Sequence, residues 1–239
     1  MKKALVHGSI AAAFGLIAAG VIPAATAQQQ TPPKAEEDVA YTPPLRGAPQ
    51  RRIGGSSRGT DTALPSIFVL APDHVGQTMS EQPSLYWYLT GPTRVRVEVT
   101  LIDDKQVTPV VEMPVAQPTG EGVQRLKLSD LRLALKPGVE YQWTVSLVPD
   151  SKERSNDVIS GGVIKRVAPP AGLAEKLAAA PREARPRLLA AAGMWYDAIA
   201  ELSEQIEANP GNRALREQRA RLLEQIGLAD AAAYDRKMK

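Results

Sequence analysis

Apolar and polar positions alternate through the middle of the chain. Every second residue from Val95 to Leu101 is Val or Leu, and the residues between them are polar. This period of two places the apolar side chains on one face of a β-strand. Six further short runs have a similar character: Leu64–Leu70, Leu85–Thr90, Val107–Met113, Val123–Leu128, Tyr141–Val148 and Gly162–Val167. Seven short strands at this spacing predict an antiparallel β-sandwich over residues 63–168.

A Pro-Gly turn leads into one of these strands. The run from Leu135 to Val145 resembles the fibronectin type III pattern around its tyrosine corner, in which a Tyr hydroxyl pins the preceding crossover. Tyr141, Trp143 and Val145 fall on one face of the strand. We therefore expect Trp143, together with Trp87 from an earlier strand, to lie in the core of an immunoglobulin-like or fibronectin-III-like sandwich.

Beyond residue 170 the apolar spacing becomes that of helices. Ile199, Leu202 and Ile206 recur at intervals of three and four. Pro210 ends this helix because proline cannot continue it. A further helix is predicted from Arg213, with Gly227 as its stop, and one more over residues 229–237. Residues 171–237 are thus predicted to be an α-helical region that follows the β-domain.

Two pairs of small residues in this region are separated by 34 positions. Gly227 follows Gly193, and Ala232 follows Ala198, at this interval. The pattern resembles the tetratricopeptide repeat, in which a Gly lies in the turn between paired helices and an Ala lets them approach. Pro186 falls where the first helix of the first repeat would be uninterrupted, which weakens that helix.

A stable array needs about three such repeats, and this chain has at most two. The helical face must therefore be covered by something else. Either it packs against its own β-sandwich, or it forms a groove for a partner. Trp195 and Tyr196 are the predicted anchors in both cases, because aromatic side chains carry much of the energy of an interface.

The N-terminus has the composition of a secretory signal peptide. Lys2 and Lys3 precede an apolar run from Ile10 to Ile22, and small residues end at Ala27. We assign residues 1–27 to the signal and expect no membrane span after its removal. The mature protein is then periplasmic or extracellular, and an envelope protein is its expected partner. Residues 28–62, rich in Pro and Gly, are predicted to be a disordered linker.

Composition excludes several kinds of chemistry. The 239 residues include no cysteine and two histidines. Thiolate catalysis, iron–sulfur clusters and cysteine zinc sites are therefore impossible, and only His74 remains after the signal is removed. Loss of the signal also lowers the net charge from +3 to +1. A nearly balanced charge does not favour nucleic-acid binding. We expect no cofactor and no metal.

Paired acidic residues and the single His offer little for catalysis. Asp103 and Asp104 precede Lys105 between two strands, where a hairpin turn explains them. A Ser-His-Asp triad would need His74, yet no serine lies in a Gly-x-Ser-x-Gly motif. We therefore predict that the protein is not an enzyme, with an unrecognised hydrolase as a minor alternative.

Two polar groupings near the end of the β-region are open to two interpretations. Four oxygen donors could wrap a calcium ion, although interleaved basic residues favour a polar turn: Asp150, Glu153, Asn156 and Asp157. Arg154 and Arg166 could form a small basic site for a partner's carboxylate. Alternatively, both arginines belong to a salt-bridged sheet surface.

The order of these pieces resembles the domain of unknown function 928 family. The resemblance rests on Arg58-Gly59, Pro83–Tyr88, Pro137-Gly138, Tyr141, Trp143, Arg154–Asp157, Gly161–Val167 and Gly193–Ala198. It covers roughly residues 58–235 and implies the architecture and an exported location, but no activity. The family often has cysteines where this chain has Thr60 or Asp61 and Val148 or Pro149, so the family's disulfide would be absent here.

These patterns predict an exported, non-enzymatic protein that acts as an envelope scaffold or a protein-interaction module. The alternative is a carbohydrate or cell-wall binding module that uses the sandwich surface. In that alternative Tyr86 and Tyr88 face opposite to Trp87. Exposed tyrosines would favour sugar stacking, whereas burial of both would count against it.

Overall fold

Eight strands and five α-helices make up the described part of this chain in the computed structural model. The structure describes residues 39–44, 52–54, 64–116 and 120–238. The strands are β1 (Ile67–Val69), β2 (Gly76–Thr78), β3 (Ser84–Leu89), β4 (Arg96–Asp103), β5 (Val111–Pro114), β6 (Gly122–Lys127), β7 (Glu140–Val148) and β8 (Val158–Arg166). The helices are α1 (Leu173–Ala179), α2 (Arg185–Ala191), α3 (Trp195–Ala208), α4 (Arg213–Gln225) and α5 (Ala229–Lys237). The predicted signal peptide lies outside the described residues.

The strands form two sheets, which confirms a β-plus-α class. One sheet has three antiparallel strands in the order β1-β3-β6, and the other has five in the order β2-β8-β7-β4-β5. Each of the seven predicted runs contains an observed strand or overlaps one. Alternation is clearest in β4, whereas β3 is buried on both faces and appears in the sequence as an apolar run.

Strand β2 differs from the sequence prediction. Its three residues pair in parallel with the end of β8, so the larger sheet is mixed rather than antiparallel. The run Gly76-Gln77-Thr78 is too short to show a period of two. Gly76 also leaves room for a neighbouring ring, since a Cβ there would lie 2.6 Å from the Tyr196 ring.

Both sheets contribute to one buried core. Trp87 from β3 and Trp143 from β7 are fully buried, as predicted. Tyr141 is also buried, and its hydroxyl accepts a hydrogen bond from the backbone N–H of Lys136 at 3.2 Å. This bond ties the Pro-Gly turn to the strand that follows it.

The helices form two hairpins with a repeated turn. Gly193 joins α2 to α3, and Gly227 lies between α4 and α5, with φ values of 80° and 75°. This left-handed conformation favours glycine. Pro186 lies in the first turn of α2, where a missing N–H costs little. The helix begins at Arg185, one residue before this proline, and is therefore not interrupted by it. Among the described helices, none is both long and apolar enough to cross a bilayer.

Parts of the segment predicted to be disordered are packed onto the rest of the chain. We call residues 39–44 and 52–54 the N-terminal strap. Val39 and Tyr41 belong to the buried core, and Tyr41 donates its backbone N–H to Gln225 in α4 at 2.8 Å. The Arg52 guanidinium donates to two backbone carbonyls, of Ala71 in the β-region and Ile226 at the end of α4. The rest of the predicted linker lies outside the described residues.

A buried ion pair connects the last three helices. Arg219 of α4 donates two hydrogen bonds to the Asp235 carboxylate of α5, at 2.7 and 2.6 Å. A third bond, at 2.9 Å, reaches the Ser203 hydroxyl of α3. The side chains of the pair are 5% and 0% exposed, so each charge depends on the other for its compensation.

We predict that Asp235→Ala lowers the free energy of unfolding by about 3 kcal/mol, because it leaves Arg219 buried without a counter-charge. Urea denaturation of the mature protein measures this loss. Asp230→Ala, an exposed position in the first turn of the same helix, is the control and should cost less than about 1 kcal/mol. Equal losses at the two positions would contradict the prediction.

Candidate functional site

The two aromatic residues predicted to anchor a partner are buried inside this chain. Trp195 is fully buried, and its indole N–H donates to the Leu70 carbonyl after β1 at 2.8 Å. Tyr196 is 2% exposed. Its hydroxyl accepts from the Trp143 indole at 2.9 Å and donates to the Val163 carbonyl of β8 at 3.0 Å. Both predicted anchors therefore contact the chain's own β-region, and their predicted contact with a partner stays a prediction.

Asp197 continues the same arrangement with a carboxylate. One oxygen accepts from the Thr78 hydroxyl at 3.0 Å, and the other accepts from the Met79 backbone N–H at 2.8 Å. Burial raises the pKa of this carboxyl, and its hydrogen bonds offset only part of the rise. We call Trp195, Tyr196 and Asp197 the docking turn, since all three lie in the first turn of α3.

The docking turn fixes the helices on the β-region. It reaches the end of β1 and the central part of β8 through buried hydrogen bonds, and the edge strand β2 through a partly buried one. The sequence left two interpretations open, packing on the chain's own β-region or a groove for a partner. This face of α3 packs on the β-region. A groove for a partner must therefore lie elsewhere.

Arg154 and Arg166 do not share a site. Arg154 precedes β8 and Arg166 is its last residue. The nine extended residues of β8 span roughly 25 Å, which keeps the two arginines apart. Arg154 pairs with Glu98 and Asp157, both at 2.7 Å. Arg166 donates to the Leu135 carbonyl and pairs with Glu81 at 3.1 Å. The interpretation as a salt-bridged sheet surface describes both arginines.

Of the remaining candidate residues, Asp103 and Asp150 lie in or beside turns, and His74 stacks on Tyr41. Asp103 ends β4 and accepts from the Lys105 backbone N–H in the following turn. Asp150 caps the backbone of Lys152 in the same way. His74 lies 2.8 Å from the Tyr41 hydroxyl. Burial raises the pKa of that phenol, so it is a poor candidate for a nucleophile.

Both tyrosines of the sugar-binding alternative are buried. Tyr86 is 2% exposed and Tyr88 is 5% exposed. Tyr88 packs on Tyr234 of α5, with ring centroids 5.2 Å apart. Neither ring has a free face for a sugar, which argues against the version of this alternative that depends on them.

A cleft of about 380 Å³ opens where the smaller sheet meets the last three helices. We call it the arginine cleft. The strands contribute Tyr86 of β3 with Val123 and Arg125 of β6. The helices contribute Ser203, Ile206 and Glu207 of α3, Arg216 and Arg219 of α4, and Tyr234 of α5. Pro210, between α3 and α4, and Met238, after α5, complete the lining. Its volume falls near the small end of ligand sites in proteins, roughly 300–1,000 Å³.

Charged groups in the cleft are held in place across the two parts of the chain. Arg125 on the sheet pairs with Glu207 near the end of α3 at 2.8 Å. Burial raises the pKa of the Tyr86 phenol, and the neighbouring Arg125 guanidinium offsets part of that rise. Tyr234 lies against Gly122, where a Cβ would overlap its hydroxyl. These constraints position the donors of the cleft before any ligand is bound.

No continuous stretch of sequence marks this cleft, because its residues come from five separate elements. One signal was present. Arg219 follows Leu215 by four positions and precedes Leu222 and Leu223 by three and four, so it lies within the apolar stripe of α4. A charged residue in such a stripe indicates a buried ion pair or a polar site.

We predict that Tyr196→Phe lowers the free energy of unfolding by about 2 kcal/mol. The change leaves the Trp143 indole N–H and the Val163 carbonyl buried without a partner. Chemical denaturation measures the loss. Tyr88→Phe is the matched control, because its hydroxyl makes no hydrogen bond within the described residues, and it should change stability by less than about 0.5 kcal/mol. A Tyr196→Phe protein as stable as the control would contradict the role of this residue.

The raised pKa of Asp197 predicts a pH dependence. The folded protein retains a proton on this carboxyl at a pH where the unfolded chain has released it, so protonation favours the folded form. Relative to Asp197→Asn, the wild-type protein should gain stability as the pH falls from 7 toward about 4. Paired urea titrations across this range measure the difference. A difference that is constant, or that reverses with pH, would show that the carboxylate is favoured in the folded state.

A known family covers most of the chain. The model of the family described as Domain of Unknown Function (DUF928) matches residues 53–235. This range includes every strand, all of α1 to α4 and most of α5. No curated protein matches the chain. Because the match extends over well more than half of the sequence, the chain belongs to the DUF928 family.

Proposed function

We propose that the protein is exported to the periplasm or the cell exterior and acts without catalysis, as an envelope scaffold or protein-interaction module. The signal-like N-terminus supports the location. The arginine cleft supports the function, because it presents fixed cationic and phenolic groups at the junction of the β-region and the helices. We propose an envelope protein as the partner.

The architecture that we propose is an immunoglobulin-like or fibronectin-III-like sandwich followed by a tetratricopeptide-like hairpin region. Two sheets that share a core, and the Tyr141 hydrogen bond to Lys136, support the first part. The turn glycines and the buried Ala198 and Ala232 support the second. In this proposal the β-region takes the place of the missing third repeat by covering α3.

Rigid attachment of the helices carries the proposal. The docking turn and the Arg219–Asp235 pair use buried hydrogen bonds, which hold the walls of the cleft at fixed positions. A preformed site loses less conformational entropy on binding than a mobile one. The cleft is therefore suited to recognition of a partner, with the sandwich as its support.

Affinity capture of the tagged mature protein from its native envelope tests the proposal. The cleft variant combines Arg125→Ala with Arg216→Ala. The control is Arg94→Ala, at an exposed position outside the cleft. Thermal unfolding of each protein verifies that it is folded. We expect one dominant protein to co-purify with the wild type and the control, and to be lost with the cleft variant.

Other results would overturn the proposal. Recovery of wall fragments or polysaccharide would favour the cell-wall binding alternative. A co-purifying protein retained by the cleft variant would place the interaction on another surface. Trp195→Ala is unsuitable as a probe, because this residue holds the helices on the β-region.

A further inference from the structure

The arginine cleft has an excess of cationic groups. Arg125, Arg216 and Arg219 line it, and Glu207 is the one carboxylate among the described residues of its lining. Arg219 is neutralised by Asp235, with two bonds of 2.7 and 2.6 Å. Arg125 is neutralised by Glu207. Arg216 has no carboxylate of its own, because its ion pair, at 3.7 Å, is with the Asp235 oxygen that Arg219 already contacts.

Arg216 is nearly buried, with a side chain that is 11% exposed. Its Nε donates to the Pro210 carbonyl at 3.1 Å. The Asp235 oxygen beside it is 3.7 Å away, beyond hydrogen-bonding distance, and already accepts a short bond from Arg219. A cation removed from water is costly unless it is paired. An anion in the cleft would supply the missing partner.

The Tyr86 hydroxyl is a second donor without an acceptor. It is buried in the lining of the cleft, and among the described residues no acceptor for its proton lies within hydrogen-bonding distance. Since burial raises the pKa of this phenol, it stays protonated and can donate to a bound anion. A neutral donor and a guanidinium in one small cleft are suited to a carboxylate.

A second cleft of about 360 Å³ adjoins the first. The two share Arg216 and Met238, and the second is also lined by Arg213, Glu217, Asp235, Arg236 and Lys237. Met238 is 37% exposed, which leaves apolar surface between the two cationic regions. A ligand that occupies both clefts must be extended, and it must place an apolar group against Met238 beside its acidic group. An extended polypeptide has this form.

We propose that the arginine cleft binds a carboxylate of an extended polypeptide partner, at Arg216 and the Tyr86 hydroxyl. The inference rests on the proposed interaction function and names the chemistry that the partner presents. One unmatched guanidinium balances one carboxylate, whereas a phosphate monoester carries about −1.5 to −2 charges at neutral pH. Glu207 competes with the ligand, since it occupies Arg125 and adds negative charge at the same cleft.

Fluorescence anisotropy with synthetic peptides tests the proposal on the full mature protein. The probes are a labelled tetraglutamate with blocked termini, the matching tetraglutamine, and a tetraglutamine with a free C-terminal carboxylate. We expect one or both carboxylate peptides to bind and the blocked tetraglutamine to fail. The two carboxylate peptides distinguish an acidic side chain from a chain terminus as the bound group.

Two single substitutions in the cleft are expected to change the affinity for tetraglutamate in opposite directions. Arg216→Ala should weaken binding roughly tenfold or more, because it removes a charge-assisted hydrogen bond. Glu207→Gln should tighten binding several-fold, since it removes the competing charge and frees Arg125. The control Arg94→Ala should leave the affinity unchanged. A gain on Glu207→Gln cannot result from misfolding, so this variant separates recognition from a loss of structure.

Several results would overturn the assignment. One is binding of blocked tetraglutamine with the same affinity as tetraglutamate. Another is weaker binding of tetraglutamate by the Glu207→Gln variant. The third is stronger competition by inorganic phosphate or polygalacturonate than by unlabelled tetraglutamate. If envelope capture depends on the cleft but tetraglutamate neither binds nor competes, the carboxylate assignment fails and the proposed function stands. If tetraglutamate binds but capture of the envelope protein does not depend on the cleft, the cleft binds carboxylates but is not the surface that binds the envelope protein.

Discussion

The first turn of α3 is the interaction on which the rest of this structure depends. Three consecutive side chains, Trp195, Tyr196 and Asp197, enter the β-region and form buried or partly buried hydrogen bonds with it. Unpaired polar groups are expensive in such surroundings, so each bond specifies one position of the helix against the sheet. The remaining helices then follow from α3, because α2 and α4 pack on its sides and α5 is tied to it through Arg219.

The N-terminal strap reinforces this arrangement from outside. Tyr41 packs edge-on against Trp195, with ring centroids 4.9 Å apart, and its backbone bonds to Gln225 of α4. Arg52 then bridges the carbonyls of Ala71 and Ile226. A short segment from one end of the sequence thus contacts both the β-region and the helices, and every such contact favours the same relative position of the two.

The sequence predicted most of the secondary structure but little of its assembly. Strands with alternating residues, such as β4, and helices with regular apolar spacing, such as α3, are local patterns and were found. Strand β2 has three residues and owes its pairing to β8 and Tyr196, so no local pattern marks it. Val39 and Tyr41 lie among prolines and charged residues, and their burial depends on distant partners.

The functional prediction was limited for the same physical reason. Trp195 and Tyr196 were recognised as anchors, since large aromatic residues in a helical repeat pattern must be buried somewhere. Their partner proved to be the chain's own β-region. The arginine cleft draws its side chains from β3, β6 and three helices, and only the tertiary fold brings them together.

The outer edge of β8 is protected by three pieces of chain that are remote from one another in sequence. Gly161 exchanges backbone hydrogen bonds with Ile53, the carbonyl of Val163 receives the Tyr196 hydroxyl, and the last three residues pair with β2. A chain that emerges from its N-terminus completes this edge only after α3 has appeared. Until then the Val163 carbonyl lacks the hydrogen bond from the Tyr196 hydroxyl, and an incomplete sheet edge favours pairing with other chains. The helices therefore complete the edge of a sheet whose strands all precede them in the sequence.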